Sequence, residues 1–252
     1  MNIGLIGAGA IGQFLLNHTK RQDNLNITSI LVRDESKYRY LVDEYDVELY
    51  TNLSDFLKSN IDIVVEAANV EAVKQYLKDV LKIKDMMIIS IGAFSDTSLL
   101  EDVKESQHKL YLPSGAVGGL DLIQNVNALE HLSSVTLTTT KPAASLVDDE
   151  LSEPTIVFEG AAKDAIAKFP KNMNVSIILS LAGLGIDETK VRLVADPHAT
   201  KNMHHVKIEG EFGEATIEIK NNPLKENPKT SALAALSILS TLERIENNII
   251  IG

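Results

Sequence analysis

Apolar positions follow two different patterns along the chain. Up to about residue 113, short continuous apolar runs alternate with stretches of helical period. Ile3–Ile6 is one such run, and Ile11, Leu15 and Leu16 then recur at helical spacing. Ile27–Val32 ("ITSILV"), Ile61–Ala68 ("IDIVVEAA") and Met86–Phe94 ("MMIISIGAF") read as further buried strands. Val70–Lys82 between them reads as an amphipathic helix. Uninterrupted apolar strands separated by helices predict a parallel sheet covered on its faces.

Beyond that point the strands alternate apolar and polar residues. Val135–Pro142, Pro154–Gly160, His204–Gly210 and Glu214–Lys220 have this pattern, which suits an antiparallel or mixed sheet with one exposed face. Ala161–Phe169 and Val175–Gly185 read as helices, the second nearly all apolar and therefore buried. Thr230–Glu246 reads as a long closing helix with Thr230 or Ser231 as its N-cap. The expected fold is α/β. A parallel-sheet domain is expected over 1–113 and a second α/β domain with a mixed sheet over 114–227. The closing segment, 228–252, is expected to pack back on the first domain.

Composition narrows the chemistry. The 252 residues are 44% hydrophobic and 23% charged, ordinary for a globular chain of this length. A formal charge of -11 without a basic tract argues against nucleic acid and anionic membrane as partners. With no cysteine there is no disulfide, thiolate metal site or cysteine nucleophile. The N-terminus lacks the basic region and cleavage site of a signal peptide, and no apolar run is long enough to span a bilayer. A cytoplasmic location is expected.

The strongest local signal is "GLIGAGAIG". Gly7, Gly9 and Gly12 form G-x-G-x-x-G directly after a strand and directly before a helix. The first glycine permits the turn, the second lets backbone approach a pyrophosphate, and the third lets helix and strand pack closely. Ala10 and Ile11 open the helix, whose unpaired N–H groups attract phosphate. The end of the second strand reads "LVRDES". Asp34 there would take ribose hydroxyls and favour NAD, while Arg33 can hold a 2′-phosphate, so NAD is expected with NADP tolerated.

Three of the six histidines crowd into "DPHATKNMHHVKIEG". Strand parity places His204, Val206 and Ile208 on one face and His205, Lys207 and Glu209 on the other. His204 is therefore on the enclosed side, where it can titrate near neutrality as an acid/base group or serve simply as core. His205 reads as a surface residue, and His198 lies in a turn-like segment after Asp196-Pro197. Adjacent strand residues point oppositely and cannot share an ion, so no metal site is expected.

Several segments together resemble the L-aspartate dehydrogenase family in order and spacing. They are "GAGAIG", "VVEAA", "SIGAF", "LPSGAVGGLD", "TTTKP", "FEGAAKDAIAKFPKNMNVSIILSLAGLG", "ADP", "NMHHVKIEGEFG" and "NNPLKENPKTSALAALS". The resemblance covers nearly the whole chain. It implies a Rossmann dinucleotide-binding domain over 1–113 and an α/β substrate domain over 114–227, usually in a homodimer, and oxidation of L-aspartate to iminosuccinate with NAD or NADP, with iminosuccinate feeding NAD biosynthesis. In the family's N-x-H motif the histidine is the active-site residue, which here is His204, preceded by Asn202. Ala116 of "PSGA" and Asn174 of "NMNV" correspond to cofactor contacts. Where the family often carries an arginine before the lysine of "KP", this chain has Thr140.

A dicarboxylic amino acid requires cations, yet Arg192 is the only arginine between residues 114 and 230. Lys141, ending an alternating strand, and Lys229, in "NPKTS" at the start of the last helix, are the candidate substrate cations. Asn172 and Asn174 precede a buried helix, where one can cap it and the other face the cofactor.

Two other readings compete. Dihydrodipicolinate reductase also joins a Rossmann loop to "HH" and "PSG" elements, but there "PSG" follows the histidine pair closely. Here Pro113-Ser114-Gly115 lies far before His204-His205. A non-catalytic NAD(P) sensor would bind cofactor without any dependence on His204. Aspartate-semialdehyde and phosphorylating glyceraldehyde dehydrogenases need a catalytic cysteine and are excluded.

Overall fold

A computed structural model describes residues 1–170, 172–225 and 227–249; the side chains of Pro228 and Lys229 lie outside that description. One compact unit comprises Met1–Pro113 with the chain from Ala234 onward. Its strands are β1 (Asn2–Ile6), β2 (Asn26–Leu31), β3 (Glu48–Tyr50), β4 (Ile63–Glu66), β5 (Asp85–Ile88) and β6 (Leu110–Tyr111). Helices α1 (Ala10–Thr19), α2 (Tyr40–Tyr45), α3 (Leu53–Lys58), α4 (Val70–Val80) and α5 (Ser98–Lys104) alternate with them. The sheet runs β3-β2-β1-β4-β5-β6 with every pair parallel. Leu5, Ile30, Val64, Val65, Met86 and Met87 are fully buried in it, as continuous apolar runs require. Strand order reverses between β1 and β4, and such a switch point opens a crevice at the C-terminal strand ends.

The start of α4 shows how local sequence builds that edge. Asn69 is extended and its side chain accepts from the Ala72 N–H at 3.0 Å, capping the helix. Val73, Leu77 and Val80 then form the buried stripe.

One strand is shorter than its apolar run suggests. Of Met86–Phe94, only the part up to Ile88 is strand, and Ile91–Ser95 forms a turn of 3₁₀ helix. Phe94 and Ala93 are still fully buried. The break comes at Ser90, whose N–H and hydroxyl both turn to the Glu66 carboxylate instead of a neighbouring strand. Apolar continuity reports burial, and buried strand and buried turn look alike to it.

The second unit, Ser114–Leu233, begins with α6 (Leu120–Asn127), β7 (Leu132–Pro142) and β8 (Thr155–Ala161). Helices α7 (Ala162–Lys168), α8 (Asn174–Ala182) and α9 (Gly185–Glu188) follow. β9 (Lys190–Asp196), β10 (Asn202–Gly210), β11 (Gly213–Asn221) and the small pair β12 (Pro223–Leu224) and β13 (Asn227–Ser231) complete it. Its main sheet runs β11-β10-β7-β9-β8. Only β7 and β9 are parallel, which makes the sheet mixed. Parity divides its faces cleanly. Val135, Leu137 and Thr139, Val191, Leu193 and Ala195, and His204, Val206 and Ile208 are buried. Thr136, Thr138 and Thr140 are half-buried, and Lys190 and Arg192 are exposed. The Rossmann-like unit and the mixed-sheet unit together give the α/β fold expected from the sequence.

The closing helix α10 (Ala232–Glu246) starts later than Thr230, because Asn227–Ser231 pairs with β12. Ser231 still acts at its N-terminus, accepting from the Leu233 N–H at 3.2 Å. From Ala234 the helix belongs to the first unit. Gln22 donates to Glu243 at 2.8 Å and the N-terminal ammonium lies 3.4 Å from Glu246. Among the described residues no helix is long and apolar enough to cross a membrane.

Candidate functional site

The glycine loop occupies the crevice at the ends of β1 and β4. Gly7 has φ +95°, a conformation that favours glycine, and its N–H donates to Leu31 O at 3.0 Å. A Cβ on Gly7 would lie 2.7 Å from the Ala68 Cβ, and one on Gly12 would lie 2.7 Å from Gly7 O. Both glycines are therefore required by packing within the protein. Gly9 differs. It is the extended N-cap of α1, and a Cβ there would meet nothing within 4 Å. Open space beside backbone at a helix N-terminus, where Ala10 and Ile11 present N–H groups outside the i→i−4 ladder, suits a pyrophosphate.

A cavity of about 320 Å³ extends from Gly7 and Gly9 along Val32, Arg33, Asp34, Ala68 and Asn69. Arg33 and Asp34 lie just past β2, after Val32, and are exposed. Asp34 accepts from the Ser36 hydroxyl at 2.6 Å and the Ser36 N–H at 3.0 Å, and these bonds hold its carboxyl below the usual carboxylate range. Both bonds use Oδ1. The loop and the cavity fit a dinucleotide.

In the second unit, β10 puts His204 on the buried face directly opposite Thr139 of β7. The imidazole Nδ1 lies 3.0 Å from Thr139 Oγ1, and both residues are buried. Lys141, two residues along β7, shares that face. Its ammonium donates to Asn172 Oδ1 at 2.7 Å, and burial pulls its pKa down. Burial first, and the Lys141 charge second, hold the His204 imidazole down at about 4. The imidazole and the ammonium therefore influence one another electrostatically.

The other sequence candidates are placed as follows. Ala116 is half-buried, and its carbonyl accepts from Asn221 Nδ2 at 3.0 Å. Asn174 is exposed at the first turn of α8. The N-cap of that helix is Met173, and among the described residues no side-chain hydrogen bond caps it; Asn172 instead accepts from Lys141. Asn202 is half-buried and pairs with Asn221 across β10 and β11. Lys229 has its backbone in β13 and not at a helix start, and its side chain lies outside the described residues. His198 is exposed, its N–H held by Asp196 at 2.8 Å. His205 is half-buried on the opposite face from His204. Among the described residues no cluster of three metal-ligating side chains occurs.

Thr139, Asn172 and Asn221 gained partners that sequence reading did not assign. Parity could have linked Thr139 to Lys141, but joining it to His204 requires the register between strands 65 residues apart. Asn221 is buried and ties Ala116 to Ser231, whose hydroxyl donates to its Oδ1 at 2.8 Å.

Comparison with known proteins completes the picture. The family described as "Aspartate dehydrogenase, C-terminal" matches residues 121–245. The family described as "Homoserine dehydrogenase, NAD binding domain" matches residues 7–113. L-aspartate dehydrogenase from Methanospirillum hungatei is 39% identical, over 100% of this chain and 99% of that protein. The chain belongs to the L-aspartate dehydrogenase family. The enzyme of that name from Methanococcus maripaludis is 38% identical over the same shares. The crystal structure of aspartate dehydrogenase from Thermotoga maritima superposes with a TM-score of 0.82 at 32% identity, covering 100% of this chain and 99% of that one. Family membership makes the chain an NAD(P)-dependent oxidoreductase and sets aside the dihydrodipicolinate reductase reading. NAD or NADP is its cofactor class, in keeping with the open cradle at Gly9.

Proposed function

We propose that the chain oxidises L-aspartate to iminosuccinate, which water then converts to oxaloacetate and ammonia. The observation that carries this reading is the buried His204–Thr139 pair with Lys141 on the same face. The Lys141 ammonium pairs with a substrate carboxylate, assisted by Asn202 and Lys229. A nicotinamide dinucleotide held by the glycine loop would supply the acceptor for the hydride that leaves C2 of the substrate. His204 accepts the proton that the substrate ammonium must lose, releases it to solvent, and then, neutral again, activates the water that hydrolyses the imine. Nδ1–H donates to Thr139 Oγ1 in this role, which leaves Nε2 as the base. A carboxylate on Lys141 offsets the cation that depresses His204, so substrate binding itself raises the basicity of the imidazole.

Gly7, Gly9, Ala10, Ile11 and Gly12 cradle the cofactor phosphates. Ionised Asp34 takes the ribose hydroxyls and favours NAD, and Arg33 lets NADP bind as well. Ala116 and Asn174 contribute further cofactor contacts, as the family resemblance supports. The same resemblance supports a homodimer and a supply of iminosuccinate to NAD biosynthesis. The product assignment is tested by stoichiometry. Ammonia and oxaloacetate should each appear one for one with reduced cofactor, and ammonia without oxaloacetate would overturn it.

Thr139→Val should lower kcat about tenfold, because the imidazole loses the partner that fixes its tautomer. Thr139→Ser should restore most of that loss. Unchanged kcat in Thr139→Val would remove the positioning role.

His204 also links stability to pH. Its native pKa is depressed from 6.5 to about 4, so the unfolded chain takes up a proton that the native imidazole refuses. Stability is therefore full above about pH 6.5 and falls as pH drops toward 4. The loss over that window is on the order of 3 kcal/mol. Denaturant titrations across it should show a weaker pH dependence in His204→Asn. An identical dependence in the variant would place the titrating group elsewhere.

A further inference from the structure

Glu66 is fully buried at the C-terminal end of β4, where an unpaired carboxylate would be costly. It is not unpaired. Oε1 accepts from the Ala68 N–H at 2.7 Å and the Ser90 hydroxyl at 2.8 Å, and Oε2 accepts from the Ser90 N–H at 3.1 Å. Burial pushes its pKa up, and these donors oppose the shift by favouring the charged form. The carboxylate thus joins the two chain segments that leave β4 and β5.

The first of those segments forms the wall of the cofactor crevice. Ala67, Ala68 and Asn69 line the cavity that opens at Gly7 and Gly9. Packing there is tight enough that a Cβ on Gly7 would lie 2.7 Å from the Ala68 Cβ and 3.1 Å from Ala67 O. A small movement of this turn would therefore displace the glycine loop. Converging donors explain why the residue is an acid. A carboxylate only accepts, whereas a glutamine placed there would turn an amide N–H toward the Ala68 or Ser90 N–H.

We propose that Glu66 is a positioning residue for the dinucleotide: its carboxylate fixes the Ala67–Asn69 wall against Gly7 and so sets the crevice before the cofactor arrives. The energetic benefit is preorganisation, and it should show as cofactor affinity rather than as chemistry. This inference rests on the dinucleotide reading of the crevice.

The test is NADH and NADPH binding by fluorescence titration for wild type, Glu66→Gln and Ser90→Ala. Thermal melts and kcat at saturating cofactor are measured alongside. Glu66→Gln should weaken binding about tenfold and Ser90→Ala about threefold, with kcat within about twofold of wild type. A folded Glu66→Gln with wild-type affinity overturns the proposal. So does a loss confined to kcat. If Glu66→Gln fails to fold, Ser90→Ala decides, since it keeps the carboxylate and removes one donor; unchanged affinity there overturns the proposal equally. Wild-type protein that binds neither nucleotide would instead refute the dinucleotide reading itself.

Discussion

His204→Ala should lower kcat for aspartate oxidation by about 10²–10⁴-fold, the usual contribution of a positioned acid/base group. NADH affinity should stay within about twofold in the same variant, because the role proposed for His204 is proton transfer and not holding the dinucleotide. Some loss of stability is expected too. The substitution empties a buried site and leaves the Thr139 hydroxyl without its partner, at a cost of about 1–3 kcal/mol. His204→Asn keeps a polar group there and separates the two effects. It should recover stability without recovering turnover, since an amide cannot take up the substrate's proton. A variant with normal cofactor binding and full turnover would assign the base to another residue. The non-catalytic sensor reading predicts the same cofactor binding with no turnover even in wild type.

Gly9→Val should weaken cofactor binding by roughly two orders of magnitude, on the order of 3 kcal/mol, while leaving the melting temperature nearly unchanged. The reasoning separates three glycines that a motif treats as equals. Gly9 has φ -76° and ψ -162°, an extended backbone open to valine, and a Cβ there would meet no protein atom within 4 Å. That side chain would instead fill the space where backbone meets phosphate. Gly7 and Gly12 would each drive a Cβ to 2.7 Å from a protein atom, so valine there should reduce stability before it reduces affinity. Melting curves and nucleotide titrations of the three variants check this directly. A Gly9→Val protein with wild-type affinity would move the phosphates away from the loop.

Much of this was legible because short-range physics decides it. A glycine motif directly after a five-residue strand leaves little freedom about what the next helix N-terminus faces. Period-two parity was enough to put His204 inside and His205 on the other face, because one slip of register would bury Lys207 and Glu209. Other features depended on distant partners. Lys190–Asp196 was not read as a strand, yet β9 lies between β7 and β8 and completes the sheet. The Lys141–Asn172 bond spans 31 residues, and the helix cap expected nearby does not form. Strands β3 and β6, of three and two residues, carry too few side chains for any period to appear. Glu66 was visible in "VVEAA" only as the polar end of an apolar run. Its significance comes from two donors on Ser90, 24 residues away.

The most direct test of the central claim is the initial rate of cofactor reduction or oxidation, followed by nicotinamide absorbance with purified protein. Substrates are L-aspartate, D-aspartate, L-glutamate and L-homoserine with NAD or NADP, and oxaloacetate plus ammonia with NADH or NADPH. The account predicts that L-aspartate is turned over faster than the other three amino acids, and that oxaloacetate with ammonia reoxidises the reduced cofactor. No absorbance change with L-aspartate in the forward direction or with oxaloacetate and ammonia in reverse, or faster turnover of L-homoserine, would contradict it.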